Sequence, residues 1–387
     1  MPDGRDARAV EVVPRIAELA AEEWDACAGP GNPFVSHAFL SALEESGSAA
    51  ADNGWLAQHL AVRDEDGRLA CVAPLYLKDH SYGEYVFDWG WADAYERAGG
   101  RYYPKLQGAV PFTPVTGPRL LVRPDVATRE HRRLLAATMV QLAKQHSVSS
   151  IHVTFCREEE VPSFLDLGFL ERRGLQYHWE NAGYGCFDDF LASLASRKRK
   201  AIKKERQKVA EADIRMSALS GADIKAHHWD LFDQFYRATA DRKWGVPYLT
   251  RRFWGLLGER LAEQVVLVLA EHDGRIVAGA LNLRGGDTLY GRNWGCAGHF
   301  RFLHFEACYY QAIEYAIDHG LKRVEAGAQG EHKIQRGYLP AETFSCHWIA
   351  DPGFRDAVAD YLQRERRAKD REGLILRDFT PYRRGED

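Results

Sequence analysis

The chain repeats itself, and the repeat limits its fold more than any other feature. Asp66-Gly-Arg-Leu-Ala-Cys-Val-Ala-Pro-Leu leads to Trp89-Gly90, and Asp273-Gly-Arg-Ile-Val-Ala-Gly-Ala-Leu-Asn leads to Trp294-Gly295. His146 stands five residues before Ile151, as His319 stands five before Val324. Gly168-Phe-Leu reaches Trp179 after eleven residues, and Gly337-Tyr-Leu reaches Trp348 with the same spacing. Matches in one order define two copies of a single unit: helices, a three-stranded antiparallel meander, a helix, a strand, a helical or looped segment, and a closing strand. The expected fold is α/β (α+β), with two tandem domains over 1–183 and 184–387, each a mixed, mainly antiparallel sheet flanked by helices. The offset between the copies falls from 205 at the Trp-Gly pairs to 173 at the histidines, so the first copy holds 32 extra residues. They fall in an irregular insertion over 91–124, rich in Gly, Pro and Tyr, whose length suits a functional lid.

Local patterns fill in the frame. Alternating apolar residues bounded by turn residues predict strands over 56–62, 69–77 and 85–89 in the first copy, and over 264–271, 275–283 and 288–294 in the second. Further strands are expected over 150–155, 170–180, 323–326 and 343–349. Helices are expected over 16–28, 125–146, 158–167, 188–213, 222–241, 250–262, 304–319 and 353–369, with a further one after the N-cap Ser36. The long helix 188–213 can bury Leu191, Leu194, Ile202 and Val209 on one stripe. Its middle, Arg197 to Lys208, holds eight basic residues and one acid.

The copies part company at one place. In the first copy, Ile151 to Gly168 reads as a strand and an ordinary amphipathic helix. In the second, Val324 to Pro340 is broken by Gly327, Gly330 and Gly337 and carries Gln329, Glu331, His332, Lys333, Gln335, Arg336 and Tyr338. A scaffold that can use a plain helix here has been given reactive side chains instead.

Composition excludes several classes of function. Net charge is −4, from 51 basic and 55 acidic residues, so no global nucleic-acid footprint exists and no DNA partner is expected. The longest apolar run, 265–270, is too short to span a bilayer. The seven cysteines show no CxxC spacing and read as reduced thiols of a cytoplasmic protein. HExxH, P-loop and Gly-x-Ser-x-Gly signatures are absent, and His227-His228 are adjacent, so no metal site is expected. With 10 Trp, 17 Tyr and 18 Phe, some rings are expected to line a cleft.

Asn32-Pro-Phe-Val-Ser-His-Ala-Phe-Leu, Tyr103-Pro-Lys-Leu-Gln, Pro111-Phe-Thr-Pro-Val-Thr-Gly-Pro-Arg-Leu, Gly291-Arg-Asn-Trp-Gly and Gly327-Ala-Gln-Gly-Glu-His-Lys-Ile-Gln-Arg-Gly-Tyr carry a resemblance. Over roughly 32–370 the chain resembles the bacterial Fem-like family of peptidoglycan biosynthesis/recognition proteins, which are tandem GNAT (acyltransferase-fold) units. The resemblance implies transfer of an activated acyl group to an amine. The donor would be an aminoacyl-tRNA, as in Fem-type ligases, or an acyl-CoA, as in ordinary GNAT enzymes. The GNAT pyrophosphate loop has no clear match, since Gly295-Cys-Ala-Gly-His-Phe-Arg-Phe-Leu303 occupies its place. No tightly bound cofactor is expected.

Acyl transfer to an amine needs a base, donors for the oxyanion, and reactants held together. Glu331, His332 and Glu325 are candidate bases, Lys333 a candidate donor, and Tyr338 a candidate acid for the leaving group. Arg336, Gln329, Tyr290, Arg292, Asn293, Trp294, Glu306, Tyr103 and Lys105 are candidate substrate contacts. Arg197, Lys198, Arg199, Lys200, Lys203 and Lys204 form a candidate anion patch that could hold tRNA, or else the solvated face of a helix. The substrate class is a small molecule or peptide, and the oligomeric state is left open. Three readings follow: a Fem-like acyl- or aminoacyltransferase with its chemistry in the second copy, a non-catalytic binder of peptides or cell-wall precursors, and an acyl-CoA-dependent small-molecule N-acyltransferase.

Overall fold

The computed structural model describes residues 10–242, 245–327 and 330–383, apart from the side chain of Glu331. The chain forms two compact units, each discontinuous in sequence: 1–174 with 343–368, and 175–342 with 369–387. The sequence reading cuts once, at 183/184. The structure instead exchanges closing strands, because the chain changes unit inside the strands Leu170–Glu180 and Leu339–Ile349.

In the first unit, Val10–Val13, His59–Arg63, Leu69–Ala73 and Leu121–Val122 make an antiparallel sheet. Beside it, Leu56–Ala57, Leu75–Lys78 and Lys105–Gly108 pair antiparallel, and Lys105–Gly108 pairs parallel with Ser150–Cys156. The second copy's strand, over 344–349, then pairs antiparallel with Ser150–Cys156, setting His347 opposite His152. Leu60, Leu106, Ile151, Phe164 and Phe344 share a core with Met139 of the helix Thr128–Gln145. Burial on both sides explains the nearly continuous apolar run of Leu69–Ala73, which is buried at every position.

The third strand of this copy differs from expectation. Residues 85–89 do not pair; the strand is Lys105–Gly108, and the helix Trp89–Arg97 starts at the expected Trp89. Tyr85 sits at φ 61°, in the left-handed region that a strand cannot use. Ser81, Glu84 and Asp88 all bond to the Lys105 ammonium, which wraps the segment around that side chain. Hence the Trp89/Trp294 match is one of sequence only, and the insertion is divided by Lys105–Gly108 into a part before it and a part after it.

The second unit holds the expected meander: Val265–His272, Arg275–Gly285 and Thr288–Cys296, extended on one side by Arg215–Leu219. Thr288–Cys296 pairs parallel with Arg323–Glu325, and that short strand pairs antiparallel with residues 178–180 of the first copy. Tyr177, Trp179, Ile313, Val324, Ile334 and Tyr338 share its core. The expected helix 188–213 is two helices, Phe187–Ser193 and Ser196–Glu211. They break at Leu194, whose extended backbone bridges to Tyr382, while Leu191, Leu194, Ile202 and Val209 are all buried as the stripe predicts.

Candidate functional site

Glu325 ends a strand that pairs with Thr288–Cys296 over three residues only: Thr288 with Arg323, Leu289 with Val324, and Tyr290 with Glu325. Beyond that point Thr288–Cys296 continues without this partner. Its pairing to Arg275–Gly285 also shifts here: Asn282 faces Gly291 and Leu281 faces Asn293, so Arg292 is bulged out of the ladder. A parallel pair that ends beside a bulge leaves a gap in which side chains can converge.

Into this region the register brings His178, directly opposite Glu325. Glu325 is 6% exposed, and its Oε2 has no hydrogen-bond partner among the described residues. The Nε2 of His178 lies 3.8 Å from that oxygen and likewise has no hydrogen-bond partner among them. Burial pushes the Glu325 carboxyl up to about 7, against the pull of Arg323 and Arg292. Burial pushes the His178 imidazole down to about 3, with Arg323 and Lys333 adding to the effect. Near neutral pH the site therefore holds a neutral imidazole beside a carboxyl poised between its two forms, which suits general base catalysis.

In the glycine-broken stretch, Lys333, Arg336 and Tyr338 spend polar groups on internal contacts. Between Gly330 and Gly337 the chain makes a short 3-10 helix, Glu331–Arg336. Lys333 is buried, and its Nζ donates to the carbonyls of Ala326 (2.5 Å) and Gly327 (3.1 Å), the two residues that follow Glu325. Burial lowers its pKa to about 8. Arg336 donates from Nη2 to both carboxylate oxygens of Glu205 (2.8 and 2.9 Å) and from Nη1 to the His332 carbonyl (2.8 Å), and lies 3.5 Å over the Phe305 ring. Tyr310 also donates to Glu205. Tyr338 is fully buried and donates to the Tyr309 carbonyl (3.2 Å), and burial raises its hydroxyl well above the usual range, which suits a core residue better than an acid. His332 bonds the Tyr309 hydroxyl through Nε2 (3.0 Å), and its pKa is lowered by partial burial, then by Arg336 and Lys333. Gln329 and the Glu331 side chain lie outside the described residues.

Among the other expected contacts, Tyr290 is buried opposite Glu325, and Arg292 is close enough to act on its charge. Asn293 is half-buried, and Trp294 packs on His304 with centroids 5.5 Å apart. Glu306 is buried in a π-helical turn, taken up by Arg206 (3.0 Å) and Gln311 (2.9 Å). Tyr103 and Lys105 lie in the first unit, within a buried network of their own. Arg197, Lys200, Lys203 and Lys204 are exposed on the helix Ser196–Glu211, while Lys198 and Arg199 are half-buried; Lys203 meets Asp188 at 3.3 Å.

Sequence reasoning named Glu325 but missed His178. The signal was present, because His178 and His347 hold the same place before the repeated Trp. Their registers show that His178 faces Glu325 as His347 faces His152.

Residues 15–384 match the FemAB-like family, described as peptidoglycan biosynthesis/recognition, and the protein belongs to that family. It is similar to the crystal structure of FemX (TM-score 0.56, 14% identity, covering 88% of this chain and 98% of that one). It is also similar to L-PGS from Bacillus licheniformis (0.51, 10%, 83% and 95%). A third similar structure is the C-terminal domain of an Agrobacterium fabrum protein described as a putative lysylphosphatidylglycerol synthetase (0.55, 8%, 89% and 96%). No protein of curated function matches the sequence. No described helix is long and apolar enough to cross a membrane.

Proposed function

We propose that the protein transfers an aminoacyl group from an aminoacyl-tRNA to the amine of a peptide or cell-wall precursor, with Glu325 as general base. The observation that carries this reading is the buried Glu325 carboxyl at the end of a three-residue parallel strand pair, with one oxygen lacking a hydrogen-bond partner among the described residues and a pKa pushed up to about 7 by burial. The acceptor nitrogen attacks the ester carbonyl carbon, the N–C bond forms, and the bond between that carbon and the ribose oxygen breaks. Glu325 takes the amine proton, and the leaving ribose oxygen is protonated. His178, uncharged, keeps a second positive charge away from the amine and leaves the carboxylate free to act.

Family membership supports a peptidoglycan-related acceptor. The exposed cations Arg197, Lys200, Lys203 and Lys204 support a polyanionic donor, and the missing pyrophosphate loop speaks against acyl-CoA. Seven free thiols support a cytoplasmic location.

The test is a matrix of donors (charged tRNAs, acyl-CoAs) against acceptors (amine-bearing cell-wall precursors), read by mass spectrometry. Product from a charged tRNA that falls about 10²–10⁴-fold in Glu325→Gln is expected for loss of a general base. Product only from acyl-CoA would replace the donor. Equal product from wild type and Glu325→Gln would remove the base.

A further inference from the structure

A cluster of rings reaches the surface of the second unit beside the glycine-broken stretch. His332 is exposed, and its ring meets Phe305, Tyr309 and His304, with centroids 5.5, 5.8 and 6.3 Å apart. His304 also packs on Trp294, and Phe305 stacks on Phe302 at 6.4 Å with planes 28° apart. Trp294, Phe302, His304 and Phe305 are half-buried, so each remains partly open to solvent. The backbone leaves its ordinary paths to hold these rings. Phe302 sits at φ 64°, a left-handed conformation unfavourable for a bulky residue, and Glu306–Tyr310 forms a π-helical turn directly after Phe305. Gly330 has φ 106°, and a Cβ there would collide with the His332 ring, so only glycine lets that ring come so close. Strain of this kind gathers at functional sites.

The charge around the rings is positive. The run 288–305, which supplies Trp294, Phe302, His304 and Phe305, contains Arg292 and Arg301 and no acidic residue. Arg301 is exposed and lies 4.7 Å over the Phe302 ring, and Arg336 lies 3.5 Å over Phe305. Glu205 and Glu306, beside the cluster, are already taken, the first by Arg336 and Tyr310 and the second by Arg206 and Gln311. The bonds of Glu205 and Arg206 also tie the cluster to the helix Ser196–Glu211. Its exposed cations, Arg197, Lys200, Lys203 and Lys204, lie within about 12 Å of Glu205 along the helix axis. A cationic ligand would be repelled here. Rings with cations beside them suit an anionic strand of planar groups, whose bases stack on the rings and whose phosphates meet the cations. A duplex keeps its bases inside its own stack, so such rings select unpaired nucleotides.

We propose that the ring cluster of His304, Phe305 and His332 is a stacking platform for unpaired nucleotides at the end of an RNA strand, with the cations of the helix Ser196–Glu211 taking its phosphates. On the reading proposed above, from which the identity of the strand follows, it is the single-stranded 3′ end of the donor tRNA. The platform binds and takes no part in proton transfer.

Binding is read by fluorescence anisotropy on the whole protein with three probes: a deacylated tRNA, the same tRNA trimmed of its unpaired 3′ nucleotides, and a short single strand of the trimmed sequence. Trimming is expected to weaken binding to wild type about fivefold or more, the loss of one stacked base. In His332→Ala, a change at the surface, intact tRNA binds weaker by the same factor and trimming has little further effect. His332→Phe, which keeps a ring but not the bond to Tyr309, binds like wild type. Glu325→Gln binds all three probes as wild type does. Equal binding of intact and trimmed tRNA, an undiminished loss on trimming in His332→Ala, or His332→Phe as weak as His332→Ala overturns the platform and leaves the donor reading in place. If the single strand binds wild type better than His332→Ala while charged tRNA gives no product, the donor reading falls and the platform stands. If neither tRNA nor the single strand binds, both fall.

Discussion

Glu325 owes its character to its surroundings. An ordinary glutamate titrates near 4.5, and burial moves this one to about 7. As a base it must be ionised, so kcat/KM is expected to climb about tenfold per pH unit below pH 7 and level off above it. A flat profile between pH 5.5 and 8.5 would rule out this base. The same shift acts on stability with a definite sign. Between pH 4.5 and 7 the unfolded chain loses this proton while the folded chain keeps it, so the group's contribution falls as pH rises and is constant above 7. Glu325→Gln removes that loss. The melting temperature of Glu325→Gln relative to wild type is expected to rise from pH 4.5 to 7, then stay constant. Lys333 acts by position: Lys333→Met leaves the Ala326 and Gly327 carbonyls without their donor and is expected to cost about 1–3 kcal/mol in denaturant unfolding.

At the scale of elements, the 3-10 helix Glu331–Arg336 is held by its ties, not by its length. Arg336 links it to Glu205 of the helix Ser196–Glu211 and to Phe305. Removing one partner strands the other nearly buried charge, so Arg336→Met is expected to destabilise by about 3 kcal/mol. A double variant with Glu205→Gln should recover part of that loss, and an additive loss would show that the two residues are not a coupled pair. The other face of the same helix carries the exposed cations. Changing Arg197, Lys200, Lys203 and Lys204 to Gln is expected to weaken tRNA binding and to flatten its dependence on salt by roughly 0.7–0.9 for each phosphate left unneutralised; an unchanged slope would remove the anion patch. At this scale the sequence was informative about apolar order. Leu191, Leu194, Ile202 and Val209 sit where their spacing puts them, whereas the break at Leu194 depends on a bridge to Tyr382, far along the chain.

For the whole molecule, each unit needs a strand from the other copy. Residues 344–349 pair with Ser150–Cys156 and place Phe344 and Cys346 in the first unit's core. A fragment of residues 1–183, the domain as the sequence divides it, would leave that strand edge and core face open. It is expected to lack a cooperative thermal transition, read by circular dichroism, and to gain one when the 343–368 segment is fused to it. A cooperative melt of 1–183 alone would contradict this.

The sequence by itself pointed to two copies, most of the strands and helices in each, the apolar stripes that fill their cores, and Glu325 as one candidate base. Such features are local or periodic, and burial reads them directly from spacing. Only the tertiary structure decided which strand closes which unit, and so that Glu325 meets His178 while His152 meets His347, 2.7 Å apart between their Nδ1 atoms. It also decided that Lys333, Arg336, Tyr338 and Glu306 spend their polar groups on internal ties. Apart from the local ties of Lys333 to Ala326 and Gly327, both outcomes rest on pairings between residues far apart in the chain. Strand register sets which side chains face each other, and desolvation with the available partners sets whether a polar group reacts or holds the fold together.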